Sequence, residues 1–219
     1  MADPNGSINI VGLLIYLSLL GLVPLLVVTM TGFLKIAVVM FLIRNALGIQ
    51  QTPPNLVLYG IALILTVYVT TPLIGDLVSR LTAHPLELKS PESLKSTVSV
   101  VRAPVQAHLV RFTHPEERSF FLSATARIWP EASRIDLKDD DLVVLVPAFV
   151  SSELTRAFEI GFLLYLPFLV IDLVVSTVLM AMGMSMVQPT VIAVPLKLLL
   201  FVAVAGWSRL LHGIILSYS

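Results

Sequence analysis

Four apolar segments, each long enough to cross a lipid bilayer, limit what this chain can fold into. A spanning helix needs about 20 mostly apolar residues, and the sequence provides such segments at 8–30, 53–74, 160–182 and 190–216. Hydrophobic residues make up 57% of the chain and charged residues only 13%, whereas soluble domains are about 25% charged. Because lipid cannot bond to the backbone, the segments are expected to be helical. The sequence therefore predicts an all-α integral membrane protein.

Most polar residues lie in one stretch, which divides the chain into three parts. We predict N-terminal hydrophobic helices at 1–76, a polar and mostly helical region at 77–150 and a C-terminal helical hairpin with a methionine-rich loop at 151–219. Within the polar region we expect a partly irregular segment at 85–104, a helix at 116–128 and an acidic turn at 139–141. Acidic and basic residues balance in this region and in the whole chain, so nothing predicts a nucleic-acid partner.

The sparse charges near the first two segments predict an orientation. Lys35 and Arg44 are the only charges between those segments, and short basic connections usually face the cytoplasm. The N-terminus and the polar region are then expected on the extracytoplasmic side. No Lys or Arg precedes the first segment, whereas a secretory signal normally begins with a positive region. We therefore expect this segment to be retained.

Charged residues inside the apolar segments are the main candidates for function. Asp172 and Lys197 lie in the third and fourth segments, where a charge costs about 2.5–3.5 kcal/mol at the centre of a helix. They are interpreted either as an interhelical ion pair or as the ion path of a secondary transporter, and we favour the pair. Glu153, Arg156 and Glu159 share one predicted helix face, as an intrahelical ladder or a contact between subunits.

No pattern predicts an enzyme, a metal site or a cofactor. The chain has no cysteine, and no two of its histidines have the three- or four-residue spacing that places two ligands on one helix face. It also lacks a glycine-rich phosphate loop. Asp76 and Asp172 could suggest an intramembrane aspartyl protease, but the residues preceding them match that class poorly.

Methionines are concentrated just before the fourth segment, at Met180, Met182, Met184 and Met186. Gly183 and Pro189 are expected to break the helix here, so that Met184 and Met186 lie on a loop. Methionine is flexible and adapts to irregular surfaces. The cluster is therefore either soft packing at a turn or a deformable gasket that closes a pore.

Two long strings of residues resemble the SctR/FliP family of type III secretion export gate proteins. The first spans 31–60 and includes Arg-Asn-Ala-Leu-Gly at 44–48 and Gln-Gln-Thr-Pro-Pro-Asn at 50–55. The second begins at 147, includes Phe-Leu-Val-Ile-Asp-Leu-Val at 168–174 and continues to 201. The resemblance covers nearly the whole chain and is weakest at about 80–120.

The resemblance implies an all-α protein of bent helical hairpins that assembles into a helical pore complex. Five copies would join S and T subunits as the inner-membrane entrance for unfolded secreted proteins, alongside the export switch and large export gate proteins. A family methionine loop maps to residues 183–189, which implies a pore gasket at Met184 and Met186, with Met180 and Met182 nearby. The remaining candidates are then expected as buried charges or intersubunit contacts: Lys35, Arg44, Glu153, Arg156, Glu159, Asp172 and Lys197.

The absence of a signal-like N-terminus favours the injectisome branch of this family, which serves virulence or symbiosis, over the flagellar branch. The resemblance also implies that part of the assembly lies on the periplasmic side of the membrane, in contact with lipid. This differs from a plain arrangement of four spanning helices.

Overall fold

The computed structural model describes residues 10–83, 91–130 and 137–219, and over these residues the chain is all-α with no strand. The all-α prediction is therefore confirmed. The helices are α1 (Ile10–Met30), α2 (Phe33–Ala46), α3 (Asn55–Ala83), α4 (Pro91–Phe112), α5 (Pro115–Ile128), α6 (Leu142–Ala181), α7 (Thr190–Ala203) and α8 (Gly206–Leu216).

Three of the four apolar segments differ in length or continuity from the helices that they form. Helix α3 continues past the apolar segment to Ala83, and the third segment is only part of the 40-residue helix α6. The fourth segment forms two helices, α7 and α8, which are bent by 63° at a short break. Hydropathy detects the apolar part of a helix, whereas helix length also depends on the polar turns that continue it.

Of the segment expected to be partly irregular, residues 91–104 form the first part of α4; residues 85–90 lie outside the described part of the chain, so the expectation itself stays a prediction. Pro91 occupies the first helical position, where its missing N–H costs nothing. Pro104 lies inside α4 and is buried. Further along α4, Leu109 and Phe112 are also buried. Burial of apolar side chains therefore outweighs the helix-breaking tendency of Pro104.

The residues divide into two compact units that alternate along the chain. The first contains 1–32 and 70–152, and the second contains 33–69 and 153–219. Both α3 and α6 contribute residues to each unit. The division at 76 and 150 made from the sequence remains a prediction.

In the first unit, the predicted helix at 116–128 is confirmed as α5, and the acidic turn is held by side chains of α4 and α5. Arg102 pairs with Asp141, and Arg118 Nη1 lies 3.2 Å from Asp139 Oδ2.

On α4, His108 packs near the Phe112 ring. Burial, together with nearby Arg111, lowers the pKa of the His108 imidazole.

In the second unit, α2 provides much of the core. Ile36, Val39, Met40 and Ile43 are almost fully buried and lie at the three- to four-residue spacing of one helix face. After α2, the chain turns at Gly48, whose φ of +73° is favourable for glycine. Helix α2 thus ends just before this glycine.

Two helices, α3 and α6, are long and apolar enough to cross a membrane. The count rises to as many as four if Pro24–Met30 with Phe33–Ala46, and α7 with α8, each form one bent span. The expected bent, apolar helices are thus present, while the number and direction of membrane passes remain predictions.

The bend between α7 and α8 depends on close packing around Gly206. Ala205 has a left-handed φ of 52°, and the next residue, Gly206, lies against the ring of Phe201. A Cβ added to Gly206 would lie 2.3 Å from two ring carbons. The same ring packs edge-on against Trp207, with centroids 5.4 Å apart. A side chain at 206 would therefore displace an aromatic cluster.

We expect Gly206→Ala to lower the midpoint of thermal unfolding of the detergent-solubilised protein, since overpacking typically costs about 1–3 kcal/mol. Gly213→Ala in the same helix is the matched control, because its added Cβ would meet no atom within 4 Å. This control is expected to be neutral or stabilising by up to about 1 kcal/mol. Equal midpoints for the two variants would contradict the packing argument.

Candidate functional site

The centre of the second unit contains an ion pair that is fully buried. Lys35 on α2 and Glu153 on α6 each have a side-chain exposure of 0%, and Lys35 Nζ donates to Glu153 Oε1 over 3.3 Å. Both belong to the second unit. Taking two charges out of water is costly unless each finds close partners, and here each charge has further contacts.

Tyr218, just beyond α8, completes this buried cluster. Its hydroxyl donates to Glu153 Oε2 over 2.6 Å, and Lys35 Nζ lies 3.4 Å from the centre of its ring. The ring face is the negative part of its quadrupole and attracts the ammonium group. A second cation, Arg156, places Nη1 at 3.6 Å from Glu153 Oε1. We call Lys35, Glu153, Arg156 and Tyr218 the buried charge cluster.

The cluster adds to the sequence-based picture at two positions. Lys35 lies within α2 and is fully buried, and the orientation predicted from Lys35 and Arg44 stays a prediction. Glu159 is exposed and forms no ion pair with another described residue, so the predicted ladder is limited to Glu153 and Arg156. Sequence reasoning missed Tyr218, because no local pattern places an aromatic ring near charges so distant in sequence.

Asp172 and Lys197 form a second ion pair, between α6 and α7. Lys197 Nζ donates to Asp172 Oδ2 over 2.6 Å and to the backbone carbonyl of Ala46 over 3.0 Å. The Lys197 side chain is 5% exposed and that of Asp172 38% exposed. The pair borders a cavity of about 690 Å³, lined also by polar side chains such as Asn45 and Tyr165. Lys197 thus ties α7 to the last residue of α2.

Arg44 holds the start of α3. Its Nη1 donates to Asn55 Oδ1 over 2.6 Å and to the carbonyl of Pro53 over 3.2 Å. Its guanidinium carbon also lies 5.0 Å from the centre of the Phe41 ring. Arg44 therefore fixes the turn between two helices.

The methionine loop, residues 183–189, lies at the tip of the α6–α7 hairpin. Gly183 has a φ of +74°. Its N–H bonds the carbonyl of Met180, and the N–H of Met184 bonds that of Leu179. These are the two hydrogen bonds of a Schellman motif, which ends a helix cleanly. Below the loop, Val175, Leu179 and Ala193 pack together and hold the hairpin.

All four methionines of the predicted cluster are exposed at this tip. The exposed fractions are 66% for Met180, 67% for Met182, 40% for Met184 and 99% for Met186. These four side chains are therefore not packed into a core within this chain. The expected helix break is present, since α6 ends at Ala181 and α7 begins at Thr190. Soft internal packing, the alternative interpretation of the methionines, does not describe Met186.

The described residues contain no grouping that resembles a catalytic or metal centre. No group of three or more His, Asp or Glu residues is placed to hold a metal ion in the described ranges. Asp76 pairs with Arg80 one turn further along α3, with Oδ1 and Nε 3.0 Å apart and both side chains about half exposed. Asp76 is thus engaged in an exposed pair within one helix, and Asp172 in a pair between helices.

Comparison with known proteins gives the family. The chain matches the FliP family model over residues 16–214. The chain belongs to the FliP family. The probable translocation protein y4yL of Sinorhizobium fredii is 55% identical over 96% of this chain and 95% of its own length. The Yop proteins translocation protein R of Yersinia pestis is 50% identical over 95% of this chain and 96% of its own.

A less similar relative also matches over the whole length of the chain. The virulence protein YscR of Salmonella typhimurium is 42% identical over all of both chains. Membership of the FliP family confirms the resemblance found in the sequence. Together with the apolar helices, it indicates an inner-membrane protein. The alternative of an ion-coupled transporter using Asp172 and Lys197 finds no support among these relatives, which are named for translocation and virulence.

We expect Lys35→Met to destabilise the protein by about 3–5 kcal/mol, because it leaves Glu153 buried without its main cation. The double variant Lys35→Met with Glu153→Leu should be more stable than Lys35→Met alone, because it removes the buried carboxylate, whereas Arg156 is partly exposed to water. Thermal unfolding in detergent measures both. Arg80→Gln is the control: it breaks an exposed pair and should cost less than about 1 kcal/mol. Additive losses in the double variant would contradict the coupling.

Proposed function

We propose that this FliP family protein is a core subunit of the type III protein secretion export gate. In this role it forms part of the entrance pore through which unfolded secreted proteins cross the bacterial inner membrane. The observation that carries the proposal is its near full-length similarity to proteins named for translocation and virulence. The names of these relatives also favour an injectisome over a flagellum.

The surface of the second unit supports an assembled state. Large apolar side chains are exposed along both of its long helices, with Leu56 and Ile64 on α3 at 81% and 69%, and Phe162 and Leu163 on α6 at 63% and 66%. Apolar surface of this extent is normally covered by a membrane or by other protein chains. We infer that five copies pack together with S and T subunits, while the export switch and large export gate proteins join the same apparatus.

The methionine loop supports a gating role. Met184 and Met186 lie at the tip of the α6–α7 hairpin. Side chains at the base of this hairpin pack together, and backbone hydrogen bonds end α6 at the loop. In a ring of copies, such tips would meet as a flexible apolar constriction. Methionine has three rotatable bonds and no branching, so the constriction could seal against small solutes and yield to an unfolded chain. Met180 and Met182 would lie beside it.

The buried charges would then serve assembly and not chemistry. Lys35 and Glu153 are neutralised within the chain, and Lys197 is held by both Asp172 and a backbone carbonyl. No carboxylate in either pair is left unpaired to act as a base. We infer a non-enzymatic subunit that uses these pairs to fix the hairpins in a shape that other subunits recognise.

We expect the full chain, co-expressed with its S and T partners and purified in mild detergent, to form a complex with five copies of this subunit. Native mass spectrometry measures the subunit count with and without the partners. A homo-oligomer that gains mass when S and T are present would agree with the export gate. A monomer or dimer whose mass ignores those partners would contradict it.

We expect replacement of both Met184 and Met186 by alanine to increase leakage of small solutes through the assembled complex, because alanine leaves a wider constriction. Solute release from vesicles containing the complex measures the effect. Met30→Ala is a matched control, since Met30 lies at the end of α1 and outside the loop. Unchanged leakage in the double variant, with assembly intact, would rule out a gasket at these residues.

A further inference from the structure

The second unit carries a groove with apolar walls and one charged residue. Its volume is about 570 Å³, within the roughly 300–1,000 Å³ of typical ligand sites. Helices α6 and α8 provide most of the lining, including Leu163 and Phe168 on α6 and Leu210 and Ile214 on α8. Among the described residues that line it, Arg209 alone is charged.

The groove has the length of one acyl chain. Its lining along α8 and the residue that follows it runs from Gly206 to Ser217, which at 1.5 Å per residue is roughly 16 Å. The hydrocarbon core of a bilayer is about 30 Å thick, so one leaflet is about 15 Å deep. Arg209 lies in the first turn of α8, near one end of this run. The charge therefore stands at the position that a lipid headgroup would take.

Arg209 has no acidic partner in the described part of the chain. Its side chain is exposed and forms none of the six ion pairs found among those residues. In this it differs from Lys35 and Lys197, the two buried lysines of the apolar helices, each of which pairs with a carboxylate. An arginine within an apolar segment is costly unless an anion or water accompanies it. The groove thus combines an unneutralised cation with an apolar channel.

We propose that this groove binds an anionic glycerophospholipid. The phosphate group lies on Arg209, and one acyl chain lies between α6 and α8. A guanidinium group binds phosphate oxygens in a bidentate manner and is more weakly hydrated than an ammonium group, so it suits a phosphate at the edge of the hydrocarbon. The bound lipid would complete the wall of the hairpin where α7 bends into α8.

The complementarity favours a lipid over a second copy of this chain. An occupant must be anionic at one end and apolar for the rest of the groove. An anionic phospholipid has this form in a single molecule and is already present in the membrane. A protein helix would have to place one acidic residue opposite Arg209 and an otherwise uninterrupted apolar face along α8.

The test uses the full chain in its co-expressed complex, incubated with phosphatidylglycerol or phosphatidylcholine vesicles, re-extracted in mild detergent and analysed by native mass spectrometry. We expect phosphatidylglycerol to be retained in preference to phosphatidylcholine. Arg209→Gln should lower the retained phosphatidylglycerol about tenfold or more, as loss of a charge-assisted bond predicts. Gly213→Leu should lower it as well, because a Cβ there meets no atom within 4 Å and the side chain enters the groove.

Arg127→Gln is the matched control, since Arg127 is exposed on α5 in the other unit and its loss removes the same charge. It should leave lipid retention unchanged. Equal retention in wild type, Arg209→Gln and Gly213→Leu would overturn the proposal, and so would equal retention of the two lipids. If Gly213→Leu instead changes the subunit count while lipid retention stays constant, the groove receives another copy of the chain and the lipid site is excluded.

Discussion

The constraint on which the rest of this structure depends is that the backbone of a long apolar segment must satisfy its own hydrogen bonds. In lipid, each unpaired N–H or C=O group would cost several kcal/mol. The described residues meet this requirement with helices throughout. The breaks are short, and their ends are closed by local bonds, as at Gly183 after α6. Helix ends are therefore the places where the chain can bend, and the bend between α7 and α8 is one of them.

Apolar composition alone does not fix how these helices pack, and the buried charges restrict the arrangement. Contacts between apolar side chains are compatible with many arrangements, whereas a buried ion pair accepts only a narrow range of distances. In the second unit, Lys35 links α2 to Glu153 on α6, and Lys197 links α7 to the last residue of α2 and to Asp172. Helix α2 is thus held at both ends by lysines. Such pairs specify one arrangement of helices more than they add stability.

The functional surface follows from the same arrangement. Lys35 and Lys197 are paired inside the unit, large apolar side chains are exposed on its surface, and the α6–α7 hairpin ends in exposed methionines. The base of the α6–α7 hairpin is packed, whereas the methionines near its tip are exposed.

The sequence by itself determined the helical class, the approximate positions of the apolar helices and the break at Gly183. These depend on composition, periodicity and local backbone preferences, which are local properties. The long strings at 31–60 and 147–201 also sufficed to indicate the FliP family. Only the tertiary structure decided that Lys35 pairs with Glu153, that Tyr218 joins Glu153 and that Lys197 binds the carbonyl of Ala46. Each of these contacts joins residues distant in sequence, and neither hydropathy nor helical spacing records which distant residues will meet. The bend at Ala205 depends on a left-handed residue and on the Phe201 ring packed against Gly206, which apolar composition does not reveal.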